Sequence, residues 1–385
     1  MKTWKLTHLD LFCLGMTIKG AWTYSEVPSF ETLSASLDKL IALYPQLLGT
    51  YSEEQKSLVW EDGGKPAFSQ IECRGHRTGE DIYSLVKPYD IKGFKDGKVP
   101  AFSACLVKLD DGAAIILQCA HAAMDGQSFY GLVKQWAALT RGEDVKQMVI
   151  DQSLIPGDED IPKEQVLARI QELGWTKLGM SALFKLVISK VMHNDRHSFT
   201  LEVPQERIAA MREQTGAGTN AVLCRIAMDG LLAKLPEVKE FTLLQTADLR
   251  GRACGVPEDF FGNFSQPVVA GLLSRDFQPA DAKAGLESGM DYDKVSETLR
   301  LSLCSGGYSL PYHYFDVTGM NAPGMRLVYV NNQLKLRACE TDFGCGLPLR
   351  VQSADLPDMI KFWQEKAGGP VQIIYRGYAA QVMKK

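Results

Sequence analysis

Apolar positions along this chain recur at two periods, and each period predicts a different kind of element. Between Pro28 and Tyr44, the residues Leu33, Leu37, Leu40, Ile41 and Tyr44 fall on one face at helical spacing. Pro28 suits the first turn of that helix and Pro45 stops it. A short strand is expected near Leu58 to Trp60, where Asp62-Gly63-Gly64 turns the chain. From Ala101 to Ala120 two apolar runs, AFSACLVKL and AAIILQCA, flank Asp110-Asp111-Gly112, which is a hairpin signal. Phe129, Leu132, Val133 and Trp136 return to helical spacing and predict a helix over 127–141.

Residues 142–165 are richer in charge, with Pro156, Pro162 and the run GDED, and read as a linker or crossover. A helix is expected over 163–173, then an apolar stretch from Leu178 to Met192. The second half opens with a strand from Ser198 to Val203, and Pro204 starts a helix that Gly216 ends. Thr219 can cap another helix, with Val222, Leu223 and Ile226 inward and Pro236 beyond its end. Strands are expected at 240–247, 265–273 and 326–331, and a long helix at 280–303. Helices and strands alternate in both halves, so the fold class is α/β with two layered lobes. The expected division is 1–160, a crossover over 161–195, and 196–385.

Composition fits that picture. The chain has 385 residues, and single cores stop growing near roughly 250–300. Apolar residues make up 45% and charged residues 23%, as in ordinary soluble proteins. A net charge of −4 argues against a nucleic-acid partner, which needs a basic face. The nine cysteines are odd in number, form no CxxC pair, and sit partly in apolar runs. That pattern suits reduced thiols and a cytoplasmic location. MKTWKLTHLDLFCLG lacks a signal-peptide pattern, and no apolar run approaches the ~18 residues of a membrane span.

The chemistry concentrates where the second apolar run ends, in QCAHAAMDGQS. His121 there can act as a general base, since an imidazole is partly unprotonated near neutrality. Asp125 would lock the loop by pairing with a cation, and Gly126 leaves room for a substrate. The plainer alternative makes Asp125 a helix N-cap and His121 a strand-end histidine. In ADLRGRACGVPEDFFGNFS, Arg250 and Arg252 follow an apolar strand. Either could pair with Asp125, or both could be surface arginines. In TDFGCGLP, Gly344 and Gly346 flank Cys345 and suggest a strained turn held by Asp342. A nucleophilic Cys345 is the lesser alternative to a structural turn, since nothing in the sequence points to a depressed thiol pKa. DFG without a glycine-rich loop or HRD does not make a kinase. The segment GYSLPYHYF brings Tyr308, Tyr312, His313, Tyr314 and Phe315 together, either as core or as an acceptor pocket. The remaining histidines show no ligand spacing, so no metal is expected.

HxxxDG, then D-x-R-x-R with FGN, then DFGxG resemble, in that order, the motifs of the BAHD acyltransferases. These belong to the chloramphenicol-acetyltransferase and condensation-domain superfamily. LTHLDL is similar to the family's opening segment, and SLDKLIALYPQLLGTY to its helix followed by YPLAGR. The likeness extends along most of the chain. It implies two chloramphenicol-acetyltransferase-like lobes, each a mixed sheet with flanking helices, with a tunnel between them. Acyl-CoA would enter as co-substrate from one face and a small alcohol or amine acceptor from the other. No permanently bound cofactor is implied, and a monomer is expected. His121 matches the catalytic base. Asp125 matches the aspartate that pairs with an arginine, for which Arg250 is preferred over Arg252. Asp342, Phe343, Gly344 and Gly346 match a structural turn, in which the family's usual tryptophan is replaced by Cys345. Asn263 and Ser265 are candidate oxyanion donors. The alternatives are a carrier-protein-dependent condensation-type acyltransferase, whose HHxxxDG would need a second histidine at Ala120, and a noncatalytic binding protein of the same fold.

Overall fold

A computed structural model describes residues 1–157, 162–172, 176–177, 198–304, 308–309, 327–353 and 359–384. The predicted hairpin forms, with Phe102–Leu109 antiparallel to Gly112–Ala120 and only Asp110-Asp111 between the paired ends. Gly112–Ala120 lies at the centre of a five-stranded sheet and is buried on both faces after its first residue. Its other neighbour is Thr17–Tyr24, in the register Thr17↔Ala120 to Tyr24↔Ala113. Ala67–Glu72 and Arg350–Ser353 complete the two edges.

A six-stranded mixed sheet forms the second layer. Its order is Ser265–Ser274, Glu240–Asp248, Leu327–Asn332, Ile360–Trp363, Val371–Arg376, Ser198–Val203. Each sheet has its own apolar core. Trp22, Tyr44, Phe129 and Trp136 build the first, and Val222, Phe241, Ile373 and Tyr375 the second. The pattern that predicted one helix from Pro28 is realised over Phe30–Leu43, with Ser29 as its cap.

Three expectations change. The single helix over 280–303 is two helices, Pro279–Gly289 and Tyr292–Cys304. The first lies so close to a neighbouring strand that a Cβ at Gly285 would sit 1.8 Å from the Ala270 carbonyl oxygen, and one at Gly289 2.4 Å from that of Val269. A second helix axis begins beyond that tight contact. Thr219 is the first helical residue, not the cap: Gly218 occupies the cap position without a side-chain bond. Finally, position in sequence is not position in space near the end of the chain. Arg350–Ser353 pairs with Thr17–Tyr24 in the first sheet, and Ala338, Phe343 and Val351 join the first core. The Trp22 indole N–H donates to the Ala338 carbonyl at 2.9 Å and the Tyr24 hydroxyl to the Thr341 carbonyl at 2.9 Å, which fastens this return.

The two halves also meet beside the end of the central hairpin. Phe261 N–H donates to the Val149 carbonyl and Val149 N–H to the Asp259 carbonyl, both at 2.9 Å. This contact brings residues 259–265 against His121–Asp125.

Candidate active site

The central strand ends at Ala120, and His121–Ala123 make one tight turn. Met124 returns to an extended conformation, and Asp125 caps the helix Gly126–Thr140. The turn is anchored by the His121 N–H, which donates to the Met16 carbonyl at 2.9 Å. Ala122, Ala123 and Met124 are fully buried, so the backbone on either side of His121 is fixed by packing. His121 itself is partly buried. Loss of hydration pushes its pKa below the ordinary histidine value, against the opposing pull of Asp125 and Asn263.

Both readings of Asp125 hold at once. One oxygen, Oδ1, accepts from the Ser128 N–H at 3.0 Å as an N-cap. The other, Oδ2, accepts from the Phe264 N–H at 3.0 Å, the Ser265 N–H at 2.8 Å and Arg250 Nη1 at 2.8 Å. Burial alone would raise the pKa of Asp125. The Arg250 guanidinium and these donors outweigh it and hold the carboxyl below its usual range. Asp125 therefore ties the loop to the second half.

Arg250 is buried and its N–H groups are well used. Nε donates to the Phe260 carbonyl at 2.8 Å, Nη1 also to Asp248 at 2.9 Å, and Nη2 to the Gly262 carbonyl at 2.8 Å and Ser128 Oγ at 3.1 Å. Arg252, the second choice for this pairing, is exposed and donates to Met290 Sδ at 3.2 Å instead. The intervening Gly251 has φ +67°, so the two arginines diverge. Gly262, with φ +142°, presents its carbonyl to the Asp125 N–H at 3.2 Å and to the Ser128 hydroxyl at 3.0 Å.

On its other side His121 meets Asn263. Nδ1 lies 3.1 Å from Asn263 Oδ1. The Asn263 amide nitrogen donates to the His121 carbonyl at 2.9 Å and to Asp10 Oδ1 at 2.8 Å. Asp10 was not singled out from the sequence. It is fully buried, and burial pushes its carboxyl up to about 7 against the lowering effect of its donors Asn263 and Thr7. The available signal was the spacing Thr7-x-x-Asp10, a capping box at the start of the helix His8–Phe12. Asp248 entered only as the first residue of the D-x-R-x-R motif, and Ser128 was missed, since a serine two residues into a helix carries no such signal.

The DFGCG segment forms a turn of its own. Asp342 Oδ1 accepts from the N–H groups of Gly344 at 2.7 Å, Cys345 at 3.0 Å and Gly346 at 2.9 Å. Gly344 and Gly346 have φ +100° and +91°, which favours glycine at both. Phe343 is buried edge-on against Trp136, with ring centroids 5.1 Å apart. Burial and the Asp342 charge push the Cys345 thiol up to about 11, so it is a poor nucleophile. Of the aromatic segment, Tyr308 lies in a short strand, Tyr308–Ser309, paired with Thr176–Lys177. Tyr312, His313, Tyr314 and Phe315 fall outside the described residues. Among the described residues no three His, Cys, Asp or Glu side chains gather as metal ligands, and no helix is long and apolar enough to cross a membrane.

A model of the Transferase family, the BAHD acyltransferases, matches residues 81–358, most of the chain and the whole of the site from His121 to Ser265. The chain belongs to the BAHD acyltransferase family. Tryptamine hydroxycinnamoyltransferase 2 of Oryza sativa subsp. japonica is 22% identical over 360 residues, covering 88% of this chain and 80% of that protein. Among solved structures, TRI101 of F. graminearum complexed with coenzyme A and T-2 mycotoxin superimposes with a TM-score of 0.70 at 14% identity, over 100% of this chain and 97% of that one. Vinorine synthase gives 0.64 at 16% identity, over 99% and 92%. The fold is thus that of the BAHD enzymes, and the BAHD protein is an acyltransferase.

Proposed function

We propose that this BAHD protein transfers an acyl group from an acyl-CoA thioester to a hydroxyl or amine of a small acceptor, with His121 as general base. The observation that carries this reading is the mounting of His121. Nδ1 is occupied by Asn263, while the neighbouring carboxylate of Asp125 is turned into its ion pair with Arg250 and cannot compete for the proton. His121 Nε2 takes the acceptor proton as the oxygen or nitrogen attacks the thioester carbon. The carbonyl oxygen becomes an oxyanion, the C–S bond breaks, and the imidazolium returns the proton to the thiolate. Both substrates are held at once, so no acyl-enzyme is required. Acyl-CoA is a co-substrate, with no permanently bound cofactor.

Of the two oxyanion candidates, the hydrogen bonding favours Ser265 over Asn263. Asn263 points its amide nitrogen at the His121 carbonyl and Asp10, which uses both of its protons. Ser265 accepts from Arg250 Nη1 at 3.3 Å and keeps a hydroxyl proton to give. Both halves of the site come from one chain, so a monomer suffices.

The test is thiol release from a panel of acyl-CoAs with pooled alcohols and amines, comparing the wild type with His121→Ala. Acceptor-dependent release should fall about 10²–10⁴-fold in the variant. Undiminished release by His121→Ala would exclude it as the base. Release by neither protein, with activity appearing only on a carrier-bound thioester, would favour the condensation-type donor.

A further inference from the structure

We infer that Asp10, acting through Asn263, decides which ring nitrogen of His121 carries the proton, and so keeps Nε2 available as the base. This rests on the reading of His121 as the base.

The argument is one of donors and acceptors. The Asn263 amide has one side that can only donate and one that can only accept. Its nitrogen faces two groups that accept, the Asp10 carboxylate at 2.8 Å and the His121 backbone carbonyl at 2.9 Å. Turning the amide over would set its oxygen against both, so this orientation is fixed. The oxygen then faces His121 Nδ1 at 3.1 Å. A carbonyl oxygen cannot donate, so Nδ1 must hold the hydrogen. In the neutral ring that leaves Nε2 bare.

Asp10 is built for this task beyond capping its helix. The cap uses Oδ2, which accepts from the Thr7 N–H at 2.8 Å and the Thr7 hydroxyl at 2.9 Å. Gln152 Nε2 adds a third donor at 3.4 Å. Oδ1 is left for Asn263, which lies 253 residues away in the other half of the chain. A buried carboxylate with no cation among these partners is costly, which is why this carboxyl is pushed up to about 7, and a neutral residue could cap the helix without that cost. With any proton on Oδ2, Oδ1 still accepts from Asn263, and the ionised form orients and polarises the amide that holds the base. Asp10 and Asn263 are positioning residues, since neither touches the reacting atoms.

Two substitutions at Asp10 separate this role from a structural one. In Asp10→Asn the new amide must keep its oxygen toward the fixed Thr7 N–H donor, so its nitrogen faces Asn263. Asn263 then turns over, its own nitrogen faces Nδ1, and the proton moves to Nε2. The shape is kept but the base is lost, and kcat should fall about 10²–10⁴-fold. In Asp10→Ala nothing drives that reversal, but only the His121 carbonyl is left to orient Asn263, so the two tautomers mix. The alanine variant should lose more stability than Asp10→Asn yet less of its kcat. A purely structural aspartate would give the opposite order.

The direct readout is ¹⁵N NMR of protein labelled at the histidine ring nitrogens, with the His121 signals identified by their loss in His121→Ala. The wild type should show a protonated Nδ1 and a bare Nε2, and Asp10→Asn the reverse. Asn263→Leu, which removes the acceptor without touching the helix cap, should mix the two forms and serves if Asp10→Asn does not fold. An unchanged Nδ1–H in Asp10→Asn, or in Asn263→Leu, overturns the inference. Activity surviving in His121→Ala would instead overturn the reading of the base, whatever the tautomer.

Discussion

The helix Gly126–Thr140 is closed at each end by the same pair of residue types, an aspartate that gathers backbone N–H groups and an arginine beside it. At its N-terminus Asp125 collects Ser128, Phe264 and Ser265, with Arg250 on the carboxylate. At its C-terminus Asp342 collects Gly344, Cys345 and Gly346, with Arg141 donating to its carbonyl. Fifteen residues of helix put the two ends about 22 Å apart. What differs is water. Asp125 and Arg250 are buried, so each must be satisfied by the other and by fixed dipoles. Asp342 is partly exposed, and Arg141 turns its charge to Glu143 at 2.6 Å. The buried end is an electrostatic knot between the two halves of the chain, beside the His121 turn. The exposed end is a shaped turn whose work is local. Residue type alone would not tell them apart.

Breaking the knot should produce the largest change. Arg250→Ala leaves Asp125 buried with no countercharge, and removal of one partner of such a pair costs about 3–5 kcal/mol. Urea unfolding should show that loss, with activity falling alongside as residues 121–125 lose their tie to 262–265. A loss under about 1 kcal/mol would mean that water reaches the pair and that the two ends are alike. Asp125→Asn should cost less than Arg250→Ala, because the amide oxygen can still accept from the backbone and Asp248 still faces Arg250.

Much of this site was legible in the sequence because its signals are local. The hairpin alternation delivers His121, the helical spacing after Gly126 places Asp125 at a cap, and an arginine closely following an apolar strand is a natural partner. Choosing Arg250 over Arg252 rested on resemblance; the left-handed Gly251 between them, which sends one inward and the other out, is a three-dimensional fact. The break between the helices Pro279–Gly289 and Tyr292–Cys304 was hidden for the same reason. Gly285 and Gly289 read as tolerable helix glycines until the strand carbonyls against them are seen. Asp10 stayed invisible as a site residue because its decisive partner is 253 positions away. Asn263 and Ser265 stood together as oxyanion candidates because a sequence shows that an amide or hydroxyl is present, not which way it faces.

The exposed end should respond more weakly. Asp342→Ala removes the acceptor of three backbone N–H groups that water can partly replace. The expected cost is about 1–2 kcal/mol in the same urea experiment, with activity per folded molecule unchanged. A loss as large as that of Arg250→Ala would show that the turn carries the packing of Phe343 on Trp136 as well as its own backbone.

The smallest expected effect sharpens the comparison most, because it reads charge alone. The His121 pKa is set chiefly by lost hydration, which lowers it, and the Asp125 anion pulls the other way. An NMR titration should place the wild-type His121 midpoint below the ordinary value of about 6.5. Asp125→Asn removes an anion that favours the imidazolium, so the midpoint should move lower still and the neutral base should persist to more acid pH. Asp342→Asn, well beyond a Debye length of about 8–10 Å, should leave the midpoint where it was. Equal shifts in the two variants would mean that the titration reports a general loosening of the fold. A shift confined to Asp125→Asn would show that only the buried end of the helix is electrically connected to His121, even though its aspartate is turned into the pair with Arg250.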